Sequence, residues 1–416
     1  MSVIARVPAL APFQVRSFRF QWPADLLASF AFEMEGVILG WFILVSTGSV
    51  TALAVFASLQ FLGTLVSPFF GMAGDRIGNR NLICLMRISY AGVAFALMLL
   101  FATGLAGPVS VFVLATLMGL VRPSDIIMRN LLVGETMPTA LLMRAMSVSR
   151  TTADSARVVG PLTGAALVAT AGTGPAYVAV CAIYLASFVL SRNVGIQRVR
   201  VLGEEALALS PIKALKEGFA YVWSTPDVRA ATLLACLMNF AAYPLVGSLL
   251  AHVAKDIYGL DQTGLGWLIA SFAVGGLIGS VALSIHGARV RAARTMITCA
   301  MLWFALNLVF SWIGTPRWGE ALLVVIGVVQ SLCMVPMAVI LLRTADPAFR
   351  GRVMGVRMLA VYGLPVGLLL SGPMIEHLGF AVTGTIFSLF GLVFTFLIAT
   401  YWRHHLWHPA AAANVR

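Results

Sequence analysis

Residues 36–74 read GVILGWFILVSTGSVTALAVFASLQFLGTLVSPFFGMAG and contain no Asp, Glu, Lys or Arg. A helix rises ~1.5 Å per residue, so ~20 apolar residues cross a ~30 Å hydrocarbon core. The stretch is too long for one crossing, and Ser46-Thr47-Gly48-Ser49 supplies a reversal in its middle. It therefore reads as a membrane hairpin. Eight further charge-free stretches follow, at 88–121, 158–191, 230–254, 262–288, 295–316, 321–342, 358–375 and 378–402. Two of them are also long and carry turn signals, Thr103-Gly104 to Gly107-Pro108 and Ala171-Gly172-Thr173-Gly174-Pro175. Three hairpins and six single spans predict twelve transmembrane helices in an all-α membrane protein, near 23–46, 51–72, 81–103, 108–130, 145–171, 175–192, 229–251, 262–286, 294–314, 319–342, 353–376 and 379–402.

Composition agrees. The chain is 60% hydrophobic and 11% charged, outside the range of ordinary soluble domains. Its net charge of +12 sits in alternate loops, at Arg76 and Arg80, at Arg289, Arg291 and Arg294, and at Arg343, Arg350 and Arg352. Basic loops stay cytoplasmic, so both termini are expected in the cytoplasm of a bacterial inner membrane, and the charge signals topology rather than nucleic-acid binding. The opening residues read as a short cytoplasmic arm leading to an interfacial Trp22, not as a cleavable signal. Cys84, Cys181, Cys236, Cys299 and Cys333 lie far apart in apolar spans, as buried thiols. His404, His405 and His408 form an anchoring tail rather than a metal site, and no metal or cofactor is expected.

The most charged connection, 193–228, separates a six-helix bundle at 1–192 from another at 229–416. Within it, Pro211 to Trp223 predicts an amphipathic helix with Leu215, Phe219, Val222 and Trp223 toward the membrane. The halves echo one another: Gly160-Pro161-Leu-Thr-Gly164 in helix five, Gly363-Leu-Pro365-Val-Gly367 in helix eleven. Two such halves suit alternating access around a central cavity.

The second loop reads Gly71-Met-Ala-Gly74-Asp75-Arg76-Ile-Gly78-Asn-Arg80. It resembles the signature between helices two and three of the major facilitator superfamily, matching at Gly71, Asp75, Arg76, Gly78 and Arg80 and departing at Asn79. The resemblance implies that Asp75 docks on the amino end of helix eleven, where the helix dipole favours an anion, and gates the cytoplasmic side. Lys216-Glu217-Gly218 with Tyr221 and Val222, and Arg350-Gly351-Arg352-Val353-Met354-Gly355, look like the enterobactin-exporter and macrolide-efflux branch. Gly160, Pro161 and Gly164 are similar to the core of the antiporter motif of drug/proton exchangers, with Ala156 and Ala165 departing from it. Plain helix packing is the alternative there.

Charges inside the spans mark candidate sites. Helix four carries Arg122, Asp125 and Arg129; helix five carries Arg150, Asp154 and Arg157. Spacings of three and four place each triplet on one face, with Arg122 and Arg157 at similar depth. Two readings stand: a salt-bridge ladder closing the cytoplasmic end, or an anion-attracting coupling site. Four acids are expected within the spans. Asp125 and Asp154 have arginines three and four residues away, which favours their ionised forms. Glu33 and Glu35 have no basic neighbour in sequence and diverge by ~200° around a helix of 3.6 residues per turn, so one of them is expected to face the cavity, where two readings stand: a proton carrier, or a structural partner of Arg122 or Arg157. In the second half Asn239, Phe240, Tyr243, Trp267 and Gln330 suggest a half-cavity for an aromatic or amphipathic substrate, with ordinary helix packing as the alternative.

These features predict a monomeric, proton-coupled exporter of small amphipathic molecules. An importer or flippase of siderophores or lysophospholipids is the alternative within this fold. An intramembrane transferase would need an acidic cluster for metal and pyrophosphate, and the sequence has none of that type.

Overall fold

The computed structural model describes residues 8–195, 211–286, 291–344 and 360–403, and among these no strand occurs. Nine of the described helices are long and apolar enough to span a bilayer. The chain is a multi-pass, all-helical membrane protein.

A 3₁₀ segment, Pro8–Gln14, precedes α1 (Arg16–Thr47). Then come α2 (Val50–Leu59), α3 (Gly63–Ile77), α4 (Asn79–Ala102), α5 (Pro108–Thr136), α6 (Thr139–Ala171) and α7 (Thr173–Arg192). The amphipathic α8 (Pro211–Ser224) follows, then α9 (Pro226–Ile257), α10 (Gln262–His286), α11 (Ala292–Phe310), α12 (Pro316–Thr344), α13 (Gly363–Leu378) and α14 (Phe380–Tyr401).

Turn chemistry accounts for the junctions. Gly48 at φ 65 closes α1, its N–H returning to the Leu44 carbonyl. Gly78 at φ 85 reverses the chain between α3 and α4 without a spare residue, a conformation that glycine alone adopts cheaply. That is the local role of this motif glycine. The surroundings of Gly71 and of the Asp75 side chain, and residues 345–359 where Asp75 was expected to dock, lie outside the described residues, as do His404, His405 and His408.

Four expectations are corrected. The first helix begins at Arg16, not near residue 23, because Phe13 folds back edge-on against Phe18 and Trp22. Within that helix the Trp22 indole N–H donates to Thr152 Oγ1 at 2.8 Å. The second span is broken at 60–62 into α2 and α3, where α5 passes so closely that a Cβ on Gly119 would lie 3.0 Å from the Leu59 carbonyl carbon. Cys236 is exposed rather than buried, although all five cysteines are free. On α8, Phe219 and Trp223 are exposed as an amphipathic face requires, but Val222 is buried.

The described chain groups into two compact units. The first takes residues up to Gly48, Leu59–Val201 and Leu260–Ala270; the second takes Ser49–Ser58, Leu202–Gly259 and Ser271 onward. In the first, α1 packs against α6 and α7, and α4 lies along α7. In the second, α13 carries α2 along its length. Ser58 Oγ donates to the Pro365 carbonyl at 3.3 Å, and Gly372 is close enough to Thr51 that a Cβ there would be 3.0 Å from its Cα. At one end the Glu376 carboxylate accepts from Thr51 N–H (2.9 Å), Thr51 Oγ1 (2.8 Å) and Ser49 Oγ (2.6 Å). An anion thus caps the first turn of α2, whose leading N–H groups have no intrahelical partner.

Candidate functional site

Close approach of α6 to α1 builds the site in the first unit. A Cβ on Gly160 would lie 2.7 Å from Glu33 Cβ, and one on Gly164 would lie 2.9 Å from Met34 Cα. The two motif glycines therefore let α6 lie against the turn that carries Glu33. One turn earlier on α6, Arg157 reaches Glu33 Oε1 at 3.8 Å and Asp154 Oδ1 at 3.4 Å, while Arg150 Nε bonds Asp154 Oδ2 at 3.1 Å. Four charges of alternating sign follow one another: Glu33, Arg157, Asp154, Arg150. The outer two residues of the α6 triplet are open, with side chains 71% exposed at Arg150 and 51% at Arg157.

The α5 triplet takes another course. Asp125 pairs with Arg129, and Arg87 Nε on α4 lies 3.5 Å from Asp125 Oδ1. Asp25 on α1 completes a quartet, 2.7 Å from Arg87 Nη2 and 3.6 Å from Arg129 Nε. Arg87 is wholly buried and also donates to the Ala24 carbonyl (3.1 Å) and to Ser187 Oγ of α7 (2.8 Å). Arg129 donates to Ser29 Oγ at 2.6 Å. Two carboxylates and two guanidiniums thus tie α1, α4, α5 and α7 together, each charge compensated within the quartet, which a dry site demands.

Arg122, expected on the same ladder as Asp125, turns away from it. It donates to Gln60 Oε1 (2.8 Å) and the Phe32 carbonyl (2.7 Å), with its guanidinium over the Phe32 ring. The break between α2 and α3 is what brings Gln60 there. Arg122 and Arg157 meet consecutive residues of α1, Phe32 and Glu33, yet the two triplets do not join into one ladder. Glu35 points elsewhere again, buried and accepting from Tyr184 Oη at 3.0 Å. Of the two glutamates, Glu33 meets the exposed charge string and Glu35 is enclosed beside α7.

The acids within the helices number more than the four expected: Asp25 is a further one, and Arg87 is its partner. The signal was present: Arg87 interrupts an otherwise apolar span, and Asp25 lies within the expected bounds of the first helix. Tyr184 and Gln60 carried no comparable signal, since an uncharged polar residue in a helix gains meaning only from its neighbour.

In the second unit α9 departs from α-helical geometry at Met238–Ala242, a π-turn. Such turns release a backbone carbonyl, and the buried Asn307 donates to Ala242 O at 3.1 Å. The turn presents Phe240, stacked 5.7 Å from Phe387, and Tyr243, edge-on to Trp303 at 5.0 Å. Gln330 Nε2 donates to Tyr243 Oη at 2.6 Å, whereas Asn239 spends its amide on Ala235 O at 2.9 Å. Gly363 of α13 fits against this turn, where a Cβ would be 3.1 Å from Phe240 N. The sequence echo between Gly160/Gly164 and Gly363/Gly367 thus corresponds to one packing role in both units. Trp267, expected with this group, belongs to the first unit and is exposed. Beside it Gly266 packs on Pro161 O, which a Cβ would approach to 3.4 Å.

Comparison with known proteins follows the same lines. The chain is 26% identical over 252 residues to the multidrug efflux pump Tap of Mycolicibacterium fortuitum, spanning 58% of this chain and 59% of that one. It is 26% identical over 173 residues to the pump Tap of Mycobacterium tuberculosis H37Rv, 41% of each chain. It therefore spans about half the length of these curated relatives. Among solved structures, the peptide-transporter-family protein PepTSo superposes with a TM-score of 0.75 at 13% identity, covering 95% of this chain and 99% of that one. A bacterial homologue of the human lysosomal transporter Spinster gives 0.72 at 13% identity, covering 96% and 99%. The profile of the Major Facilitator Superfamily matches residues 22–362 and 231–413, and the chain belongs to that superfamily.

Proposed function

We propose that this protein is a secondary active exporter of small amphipathic compounds, coupled to protons through Glu33 and working as a monomer in a bacterial inner membrane. The observation that carries the reading is the position of Glu33. Among the described residues it has one ion pair, the 3.8 Å contact to Arg157, a side chain it shares with Asp154. Asp25 and Asp125 are each shared between two guanidiniums in the buried quartet, and Glu35 is shut in against Tyr184.

The shared arginine gives a coupling step. With Glu33 ionised, Arg157 divides between two carboxylates. When Glu33 takes a proton its charge vanishes, and Arg157 turns fully to Asp154, freeing α1 and α6 to shift along their glycine contact. Loss of the proton restores the Glu33 ion pair. On this reading α1 to α7 supply six spans at 1–192, with α2 and α3 forming one, and α9 to α14 supply six more at 229–416, joined by 193–228. The aromatic turn at Phe240 and Tyr243 supports an aromatic or amphipathic substrate, and the efflux pumps named Tap support the outward direction. The alternating charges Glu33 to Arg150 act as coupling groups, and Gly71, Asp75, Arg76, Gly78 and Arg80 as the cytoplasmic gate.

Proteoliposomes with an imposed pH gradient test this. Glu33→Gln should bind substrate and exchange it down its gradient while losing gradient-driven accumulation, and Glu35→Gln should retain accumulation. Full accumulation by Glu33→Gln would sink the assignment.

A further inference from the structure

The amino end of α4 and the carboxyl end of α7 enclose a cleft of about 360 Å³ lined by Arg80, Asn81, Cys84, Phe188 and Arg192. The volume falls within the ~300–1,000 Å³ of small-ligand sites. Its two cations are available. Arg80 donates to its neighbour Asn81 Oδ1 at 3.0 Å and to Val194 O at 3.4 Å. Arg192 lies 5.8 Å over the ring of Phe188. Neither guanidinium pairs with a carboxylate among the described residues. The cleft therefore carries two uncompensated positive charges.

One turn deeper the same two helices change character. Leu85 and Ile88 follow Asn81 and Cys84 at helical spacing on α4, and Leu185 and Val189 precede Phe188 and Arg192 on α7. All four are exposed. Exposed apolar side chains on membrane-spanning helices face acyl chains. A phosphate at the rim and hydrocarbon below describe one amphiphile, and guanidiniums grip phosphate oxygens bidentately.

We propose that this cleft binds the headgroup of an anionic phospholipid, with Arg80 and Arg192 holding its phosphate and its chains lying along Leu85, Ile88, Leu185 and Val189. Basic pockets between membrane helices recognise headgroups in this way. The site is separate from the charge string at Glu33; it shares Arg80 with the proposed cytoplasmic gate, so it is read by lipid binding and not by transport.

Native mass spectrometry of the full-length protein, released from detergent with phosphatidylglycerol or phosphatidylcholine added, tests it. Each basic residue near a charged leaflet is worth roughly fivefold in affinity, so Arg80→Gln with Arg192→Gln should bind phosphatidylglycerol about 25-fold more weakly. Phosphatidylcholine should bind weakly to both proteins. Equal retention of phosphatidylglycerol by wild type and double variant would overturn the proposal. So would competition by glycerol phosphate at concentrations equal to the lipid's, which would make the ligand a soluble phosphate. A second measurement needs no substitution: phosphatidylglycerol should slow alkylation of Cys84 but not of the exposed Cys236. Unchanged alkylation of Cys84 would also overturn it.

Discussion

Gly160 of α6 stands directly against Glu33 of α1, with room for a hydrogen but not for a methyl group; a Cβ would sit 2.7 Å from Glu33 Cβ. The neighbouring atom belongs to a backbone-anchored Cβ, so the helices themselves must separate to admit anything larger. Gly160→Ala should lower stability by ~1–3 kcal/mol, the usual cost of overpacking, and lengthen the Glu33–Arg157 contact. Thermal unfolding in detergent and gradient-driven transport check both. An unchanged melting temperature would mean that the contact is slack.

The buried quartet and the exposed string should respond differently to arginine removal. Arg87→Ala leaves Asp25 and Asp125 short of a partner in a dry site and should cost ~3–5 kcal/mol. Arg150→Ala removes a side chain that is 71% exposed and should cost at most ~1 kcal/mol. Comparable losses in the two variants, read by thermal unfolding, would contradict the burial difference.

Tyr184 holds the enclosed glutamate at 3.0 Å. Tyr184→Phe should cost ~0.5–1.5 kcal/mol, as for an intramolecular hydrogen bond, and leave coupling to the pH gradient intact. Loss of coupling with unchanged stability would transfer the proton-carrying role from Glu33 to Glu35.

Glu376 bonds Ser49 and Thr51 at the start of α2. Glu376→Gln keeps the shape but removes the anion, and should destabilise by ~0.3–1 kcal/mol. A Ser49→Ala, Thr51→Val double variant should do the same without adding to the effect of Glu376→Gln, since all act at one cap. Additive losses would show independent roles.

Much of this architecture was legible in the sequence, because the absence of charge over 18 or more residues leaves only membrane helices as a solution. The glycine pairs were legible too, by their spacing. Pairing was not. Arg122 and Asp125 share a helical face by arithmetic, yet Arg122 bonds Gln60 and Asp125 meets Arg87 and Asp25. Spacing within a helix says which residues look the same way, whereas the partner across the gap depends on where a third helix breaks or begins. The break at 60–62 and the early start of α1 at Arg16 decided both.

The quartet also has a history. Asp25 leaves the ribosome first, on α1; Arg87 follows on α4, then Asp125 and Arg129 on α5. A lone arginine in a membrane helix costs ~2.5–3.5 kcal/mol to insert, but Arg87 emerges when its acidic partner is already in place. The set carries one negative charge after α1, none after α4, and none after α5, which brings one charge of each sign. A nascent bundle that grows in this order never exposes lipid to an excess cation, so the neutrality of the finished core is also the itinerary by which it is assembled.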